Sequence, residues 1–217
     1  MQLYEFAPTR SIRVRWMLQE LGIDFESVTV NIEAGEHRHP EFLKLNPTGR
    51  VPVLVDDDLV LTESVAILLY LAEKYPHKGL LPTDILERSQ VYRWLLFTTA
   101  EMEQPLWRIW YHTGVYPEHL RLTAEVSLAR QDFTDLVAML EDYMQGRQFI
   151  VGNTVTVADF ASAYTLDWAN ELRLLDECPH LRQYNRANVC STNAPLRIAA
   201  ALKSINAPRR LLWEQQE

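Results

Sequence analysis

Along the first third of the chain, short strand-like runs alternate with segments of helical rhythm. "QLYEF" (residues 2–6) predicts a short strand, and "DFESVTVNI" (24–32), rich in β-branched residues, a second one. Between them, "SIRVRWMLQELG" sets Val14, Met17, Leu18 and Leu21 at i, i+3, i+4, i+7, an amphipathic helix that Gly22 closes. "PEFLKLN" predicts a short helix ended by Asn46-Pro47. "PVLVDDDLVLTE" predicts two strands around the acidic turn Asp56-Asp57-Asp58, and "SVAILLYLAEKY" a helix apolar nearly all round, hence buried on most sides. A strand, a crossover helix and a strand imply a parallel start, to which the close pair adds a hairpin.

Past Tyr75 the rhythm changes. "PHKGLLPTD" carries two prolines and a glycine and reads as a linker, residues 77–84. Beyond it the strand signal nearly vanishes, and the tail "NAPRRLLWEQQE" reads as irregular or weakly helical. "ILERSQVYRWLLFTTAEMEQPLWRIWYHTG" predicts a long helix kinked or broken at Pro105. "PEHLRLTAEVSLARQDFTDLVAMLEDYMQG" predicts another, with Pro117 in its first turn, Gly146 after its last, and a buried stripe of Val126, Phe133, Leu136, Val137, Leu140 and Tyr143. "TVADFASAYTLDWANELRL" opens with Thr156 and Asp159 at N-cap and N3, an aspartate form of the capping box. Shorter helices are expected at "PHLRQYNRANVC" and "PLRIAAALKSI". The expected fold class is therefore α/β followed by all-α: residues 1–76, a linker 77–84, and a helical domain 85–217.

Composition narrows the function. The 217 residues carry a formal net charge of -8, which argues against nucleic acid or an anionic membrane as partner, since both need a basic face. No apolar run approaches the length of a membrane span, and "MQLYEFAPTR" lacks the pattern of a secretory signal. Two cysteines, Cys178 and Cys190, with no C-x-x-C, do not make a disulfide scaffold. A cytoplasmic enzyme or binding protein is expected.

The chemistry concentrates around a misplaced proline. Pro52 stands at the mouth of the strand "VPVLV", although proline cannot donate to a sheet ladder. Glu63 and Ser64 stand at the start of a buried helix, where free N–H groups and the positive helix end suit a carboxylate. On these residues alone, Pro52 also fits an edge position and Ser64 an ordinary cap.

The strand–helix order, "NPTGRVPVLVDDDLVLTESVAILLYLAEKYP" and "TVADFASA" together resemble the cytosolic glutathione S-transferase family over nearly the whole length. The resemblance implies a thioredoxin-like N-terminal domain, an α-helical C-terminal domain and a homodimer. It also implies a cis bond before Pro52, which turns the N–H and C=O of Val51 toward the cysteinyl unit of glutathione, as in strand addition. Ser64 would hold the γ-glutamyl carboxylate and Glu63 the amino group. His37 and Arg50 would serve the glycyl end, with His39 a weaker candidate. His37 and His39 make a poor metal pair, because no further ligands come at a recognised spacing; no metal is expected.

The thiol-activating residue stays open among Thr9, Ser11 and Arg10 in "FAPTRSIRV", with Ser11 also fitting an N-cap of the first helix. The electrophile pocket is expected from Met102, Trp107, Trp110 and Tyr111. The expected activity is attack of glutathione, a co-substrate, on a small electrophile. The rivals are a glutathione-dependent thiol-disulfide reductase and a non-catalytic binding protein of this fold.

Overall fold

The computed structural model describes residues 1–189. By contacts these fall into two compact units that divide between Leu68 and Leu69.

In the first unit the expected alternation holds. Strand β1 (Gln2–Glu5), helix α1 (Ser11–Leu21), strand β2 (Glu26–Thr29), helix α2 (Pro40–Leu45) and strands β3 (Val53–Asp56) and β4 (Leu59–Thr62) come in that order, and helix α3 (Ser64–Lys74) begins here. The sheet order is β2-β1-β3-β4. β1 pairs parallel with β2, antiparallel with β3, and β3 antiparallel with β4. The stripe read from α1 is buried: Val14, Met17 and Leu18 are fully so, and Gly22 ends the helix in the left-handed conformation. Val30, Phe42 and Val53 form a small core on which Tyr4, Leu45 and Val51 pack, and this holds α2 and the approach to β3 in place.

The second unit is helical: α4 (Ile85–Leu96), α5 (Glu103–Trp110), α6 (Thr123–Met144), α7 (Val157–Glu171) and α8 (Pro179–Val189). Two expectations need correction. The long helix is interrupted before Pro105, not at it: a π-helical turn, Phe97–Met102, joins α4 to α5, and Pro105 sits in the first turn of α5, where its missing N–H costs little. Pro117 does not open α6. It precedes a 3-10 turn, Glu118–Leu120, and α6 starts at Thr123, because Arg121 binds back to the Tyr116 and Gly114 carbonyls and the Leu122 N–H is taken by His112 Nδ1.

The stretch read as linker is partly packed: Leu80 and Leu81 are buried, and the Leu80 carbonyl accepts from Val157 N–H at the start of α7. The expected helix "PLRIAAALKSI" lies outside the described residues. No helix of the described residues is long and apolar enough to cross a membrane.

Candidate active site

The loop that leads into β3 is organised by one side chain. Asn46 is buried; its Nδ2 donates to the Arg50 carbonyl (2.7 Å), and its Oδ1 accepts from the Thr48 N–H (3.1 Å) and hydroxyl (2.8 Å). Gly49 closes this loop with φ +64. A Cβ there would stand 2.8 Å from the His37 carbonyl, so only glycine lets the two loops touch. The Val51-Pro52 bond is cis. The β1–β3 ladder ends at Tyr4 and Val53, two residues short of Val51. Arg50 is exposed. Asn46 escaped the sequence reading; the signal was its place in Asn-Pro-Thr-Gly, where an Asn side chain folds back on the turn after it.

The histidines lie on the neighbouring segment. His37 is in the 3-10 turn Glu36–Arg38. Burial holds its pKa below the ordinary value and the Arg38 charge acts the same way, against the Ile32 backbone, so the imidazole is neutral at pH 7. His39 is exposed and precedes α2 without capping it through its side chain. Among the described residues no group of three His, Cys, Asp or Glu is placed to hold a metal ion.

The start of α3 joins three unusual features. Glu63 is exposed and has φ +66, a left-handed conformation that a non-glycine residue keeps only under constraint; its carbonyl accepts the Ile67 N–H (3.0 Å). Ser64, the first helical residue, is 4% exposed. Its Oγ accepts from Nη1 of Arg13 (3.3 Å), a guanidinium with no exposed surface at all. Arg13 was missed in the sequence, yet it stands four residues before Met17 on the apolar stripe of α1, where a charge demands a reason. A buried guanidinium, a buried hydroxyl and a helix N-terminus with no acidic residue in its first turn thus meet at one place.

The hydroxyl loop differs from expectation in one respect. Ser11 does not cap α1: it is the first helical residue, and Arg10 is the N-cap, with no cap hydrogen bond from its side chain. Ser11 Oγ instead accepts from the Phe6 N–H (3.4 Å) and lies 2.8 Å from Thr9 Oγ1. Thr9 donates to the Phe6 carbonyl and accepts from the Ser11 N–H (3.2 Å). Ser11 is 1% exposed, whereas Thr9 is half-buried and reachable. Arg10 is half-buried.

In the helical unit, Met102 is a correction: it is fully buried and lines no open surface. It stands five residues before Trp107, which at about 100° per residue puts it about 140° round the helix from that ring. Trp107, Trp110 and Tyr111 do gather, with ring centroids 5.5–5.8 Å apart. Trp168 of α7 extends the group against Trp107 (5.1 Å), and Tyr116 stacks on Tyr111 (5.2 Å). Trp110 is 45% exposed. Arg108, on the same helix, is held by Glu125 and Asp132 of α6, whose hydrogen bonds and charge raise its pKa. It clamps two helices and is not a loose cation.

Comparison with known proteins agrees with this fold. Residues 1–73 match the family model of the glutathione S-transferase N-terminal domain, and residues 115–187 that of the C-terminal domain. The chain is 38% identical over 162 residues to "Glutathione S-transferase 1" of Dianthus caryophyllus, covering 73% of this chain and 72% of that one. It is 37% identical over 162 residues to "Glutathione S-transferase zeta class" of Euphorbia esula, covering 73% and 71%. Its fold superposes on glutathione transferase URE2P5 of Phanerochaete chrysosporium with a TM-score of 0.85 at 25% identity, covering 94% and 95%. A second transferase of that fungus, URE2P6, solved with oxidized glutathione, gives 0.82 at 25%, covering 94% of each chain. With a thioredoxin-like unit ending in the Val51-Pro52 turn and α3 and a helical unit after it, this chain belongs to the glutathione S-transferase family.

Proposed function

We propose that the protein is a glutathione transferase that binds the tripeptide by its backbone and its γ-glutamyl head and directs the thiolate at a small electrophile. The observation that carries this reading is the start of α3, where Ser64 is buried on the equally buried Arg13 and Glu63 is held at positive φ. Such a site suits an amino-acid head group: the Ser64 hydroxyl and the first N–H groups of α3 take the α-carboxylate, and the exposed Glu63 carboxylate takes the ammonium. Val51 pairs with the cysteinyl unit through its N–H and C=O. Arg50 and the neutral His37 serve the glycyl end.

Thr9 is the donor to the sulfur in this reading, since it is the reachable hydroxyl of the loop. The energetics are modest. A hydrogen bond to a charged group contributes about 1.5–3 kcal/mol, and one pKa unit is about 1.36 kcal/mol. One such donor lowers a thiol from ~8.5 by about one to two units, enough for a competent nucleophile without a general base. Trp107, Trp110 and Tyr111 offer an apolar aromatic surface for the electrophile.

We assign the glutathione site to residues 1–76 and the helical domain to residues 85–217. The protein acts in the cytoplasm as a homodimer, in detoxification. The structure of URE2P6 with oxidized glutathione favours a second reading, thiol-disulfide reduction. Calorimetric titration with glutathione, then turnover of a halogenated aromatic against a mixed disulfide, tests both. Absence of glutathione binding would exclude either reading.

A further inference from the structure

The end of β1 and the start of α1 are joined by a closed ring of hydrogen bonds. The Phe6 N–H donates to Ser11 Oγ, Ser11 Oγ lies 2.8 Å from Thr9 Oγ1, and Thr9 Oγ1 donates to the Phe6 carbonyl. Both ends of the ring belong to one residue, whose N–H can only donate and whose carbonyl can only accept. The hydroxyl protons therefore have one arrangement: the Thr9 proton lies on the Phe6 carbonyl and the Ser11 proton on Thr9. The Ser11 N–H supplies a second donor to the same Thr9 oxygen (3.2 Å). Thr9 thus accepts twice and donates once, its full capacity. Of the three residues, Phe6 is 6% exposed and Ser11 1%, so a ligand meets the ring at Thr9.

We propose that Ser11 is a positioning residue for the sulfur chemistry: its hydroxyl and N–H fix and polarise the Thr9 hydroxyl, which swings from the Phe6 carbonyl to donate to a bound glutathione thiolate. This rests on the reading of Thr9 as the thiolate donor. The step balances simply. The S–H bond breaks, its proton leaves to water, and the sulfur accepts the Thr9 O–H in place of a neutral carbonyl. The charged acceptor makes the stronger bond, which draws the proton out of the ring. With both Thr9 lone pairs already engaged by Ser11, the hydroxyl has only its proton to offer, and each donor strengthens it by about 10–30%. Since one of them is the first N–H of α1, Thr9 also relays the positive helix end to the sulfur. Ser11 itself does not touch the sulfur.

The ionisation of bound glutathione, read as thiolate ultraviolet absorbance against pH, tests this. Thr9→Ala is expected to raise the pKa of the bound thiol by about one to two pH units. Ser11→Ala, with Thr9 in place, is expected to raise it by about half a unit. If Thr9→Ala has no effect while glutathione still binds, the Thr9 reading fails and takes the role of Ser11 with it. If Thr9→Ala shifts the pKa but Ser11→Ala, melting like the wild type, does not, only the Ser11 proposal is overturned. Should Ser11→Ala not fold, the wild type carries the test. The carbonyl carbon resonance of Phe6 is expected to move on binding glutathione more than on binding S-methyl glutathione, which has no thiolate to draw the Thr9 proton away. An equal response to both ligands overturns the proposal.

Discussion

Two helix starts in this chain solve the same electrostatic problem in opposite ways. α7 carries its own anion. Asp159 in its first turn is buried, and its carboxylate accepts the Ile150 N–H (2.9 Å), the Thr156 N–H (2.8 Å), the Thr156 hydroxyl (3.1 Å) and the Tyr184 hydroxyl (2.8 Å). Burial pushes the Asp159 carboxyl up and the four donors act against it; burial and the Asp159 charge push the Tyr184 phenol up, so it remains a donor. α3 has no acidic residue in its first turn, places a buried guanidinium on its first hydroxyl, and holds its preceding residue at positive φ. The first helix start is complete within the fold. The second has no such carboxylate within its first turn, and it is there that we place the γ-glutamyl head.

The comparison predicts opposite phenotypes. Asp159→Ala strips a cap and leaves four donors without their acceptor, so a stability loss of about 3–4 kcal/mol is expected in denaturant unfolding. Glutathione affinity of the folded fraction is expected to stay near wild type. Ser64→Ala shifts the weight to binding: affinity measured by calorimetry falls by about 1–3 kcal/mol, and the stability loss, from the single Arg13 bond, stays well below that of Asp159→Ala. Equal stability losses in both variants, with affinity untouched, would reduce α3 to an ordinary buried helix start.

How much of these two sites was legible in the sequence depends on how local each one is. The α7 cap was legible because its partners Thr156 and Asp159 lie three residues apart, a spacing set by one helical turn. The α1 stripe and the β3–β4 hairpin were legible for the same reason. The Arg13–Ser64 contact joins residues 51 apart in the chain, and no periodicity encodes it. Nor does spacing reveal that Ser11 and Thr9 turn toward Phe6 instead of capping α1, since Ser is equally at home in either role. Met102 was misjudged because it stands five residues before Trp107, about 140° round the helix from it, and not at a spacing of three or four.

A third variant disturbs backbone instead of charge. Gly49→Ala puts a Cβ against the His37 carbonyl at a left-handed φ. A stability loss of about 1–2 kcal/mol is expected from the conformation alone. Because this loop leads to Val51, glutathione affinity should fall as well. That joint loss, with no charged or hydroxyl group removed, tests the backbone dock apart from both helix starts. A Gly49→Ala protein with unaltered affinity would detach Val51 from the binding site.

The smallest expected effect is the most discriminating, because its two readouts move in opposite directions. Glu63 sits at φ +66, where a side chain costs about 1–2 kcal/mol relative to the right-handed region. Glycine removes that penalty but adds about 0.5–1 kcal/mol of chain entropy lost on folding. Glu63→Gly is therefore expected to stabilise the protein slightly, by about 0.5–1 kcal/mol in urea unfolding. The same change deletes the carboxylate assigned to the γ-glutamyl ammonium, so glutathione should bind more weakly, and an analogue lacking that amino group should bind both proteins alike. A residue kept at a conformational cost that the fold does not require is then kept for its ligand. If Glu63→Gly destabilises the protein and leaves glutathione affinity intact, the positive φ serves the fold, and the contrast between the α3 and α7 starts loses its functional meaning.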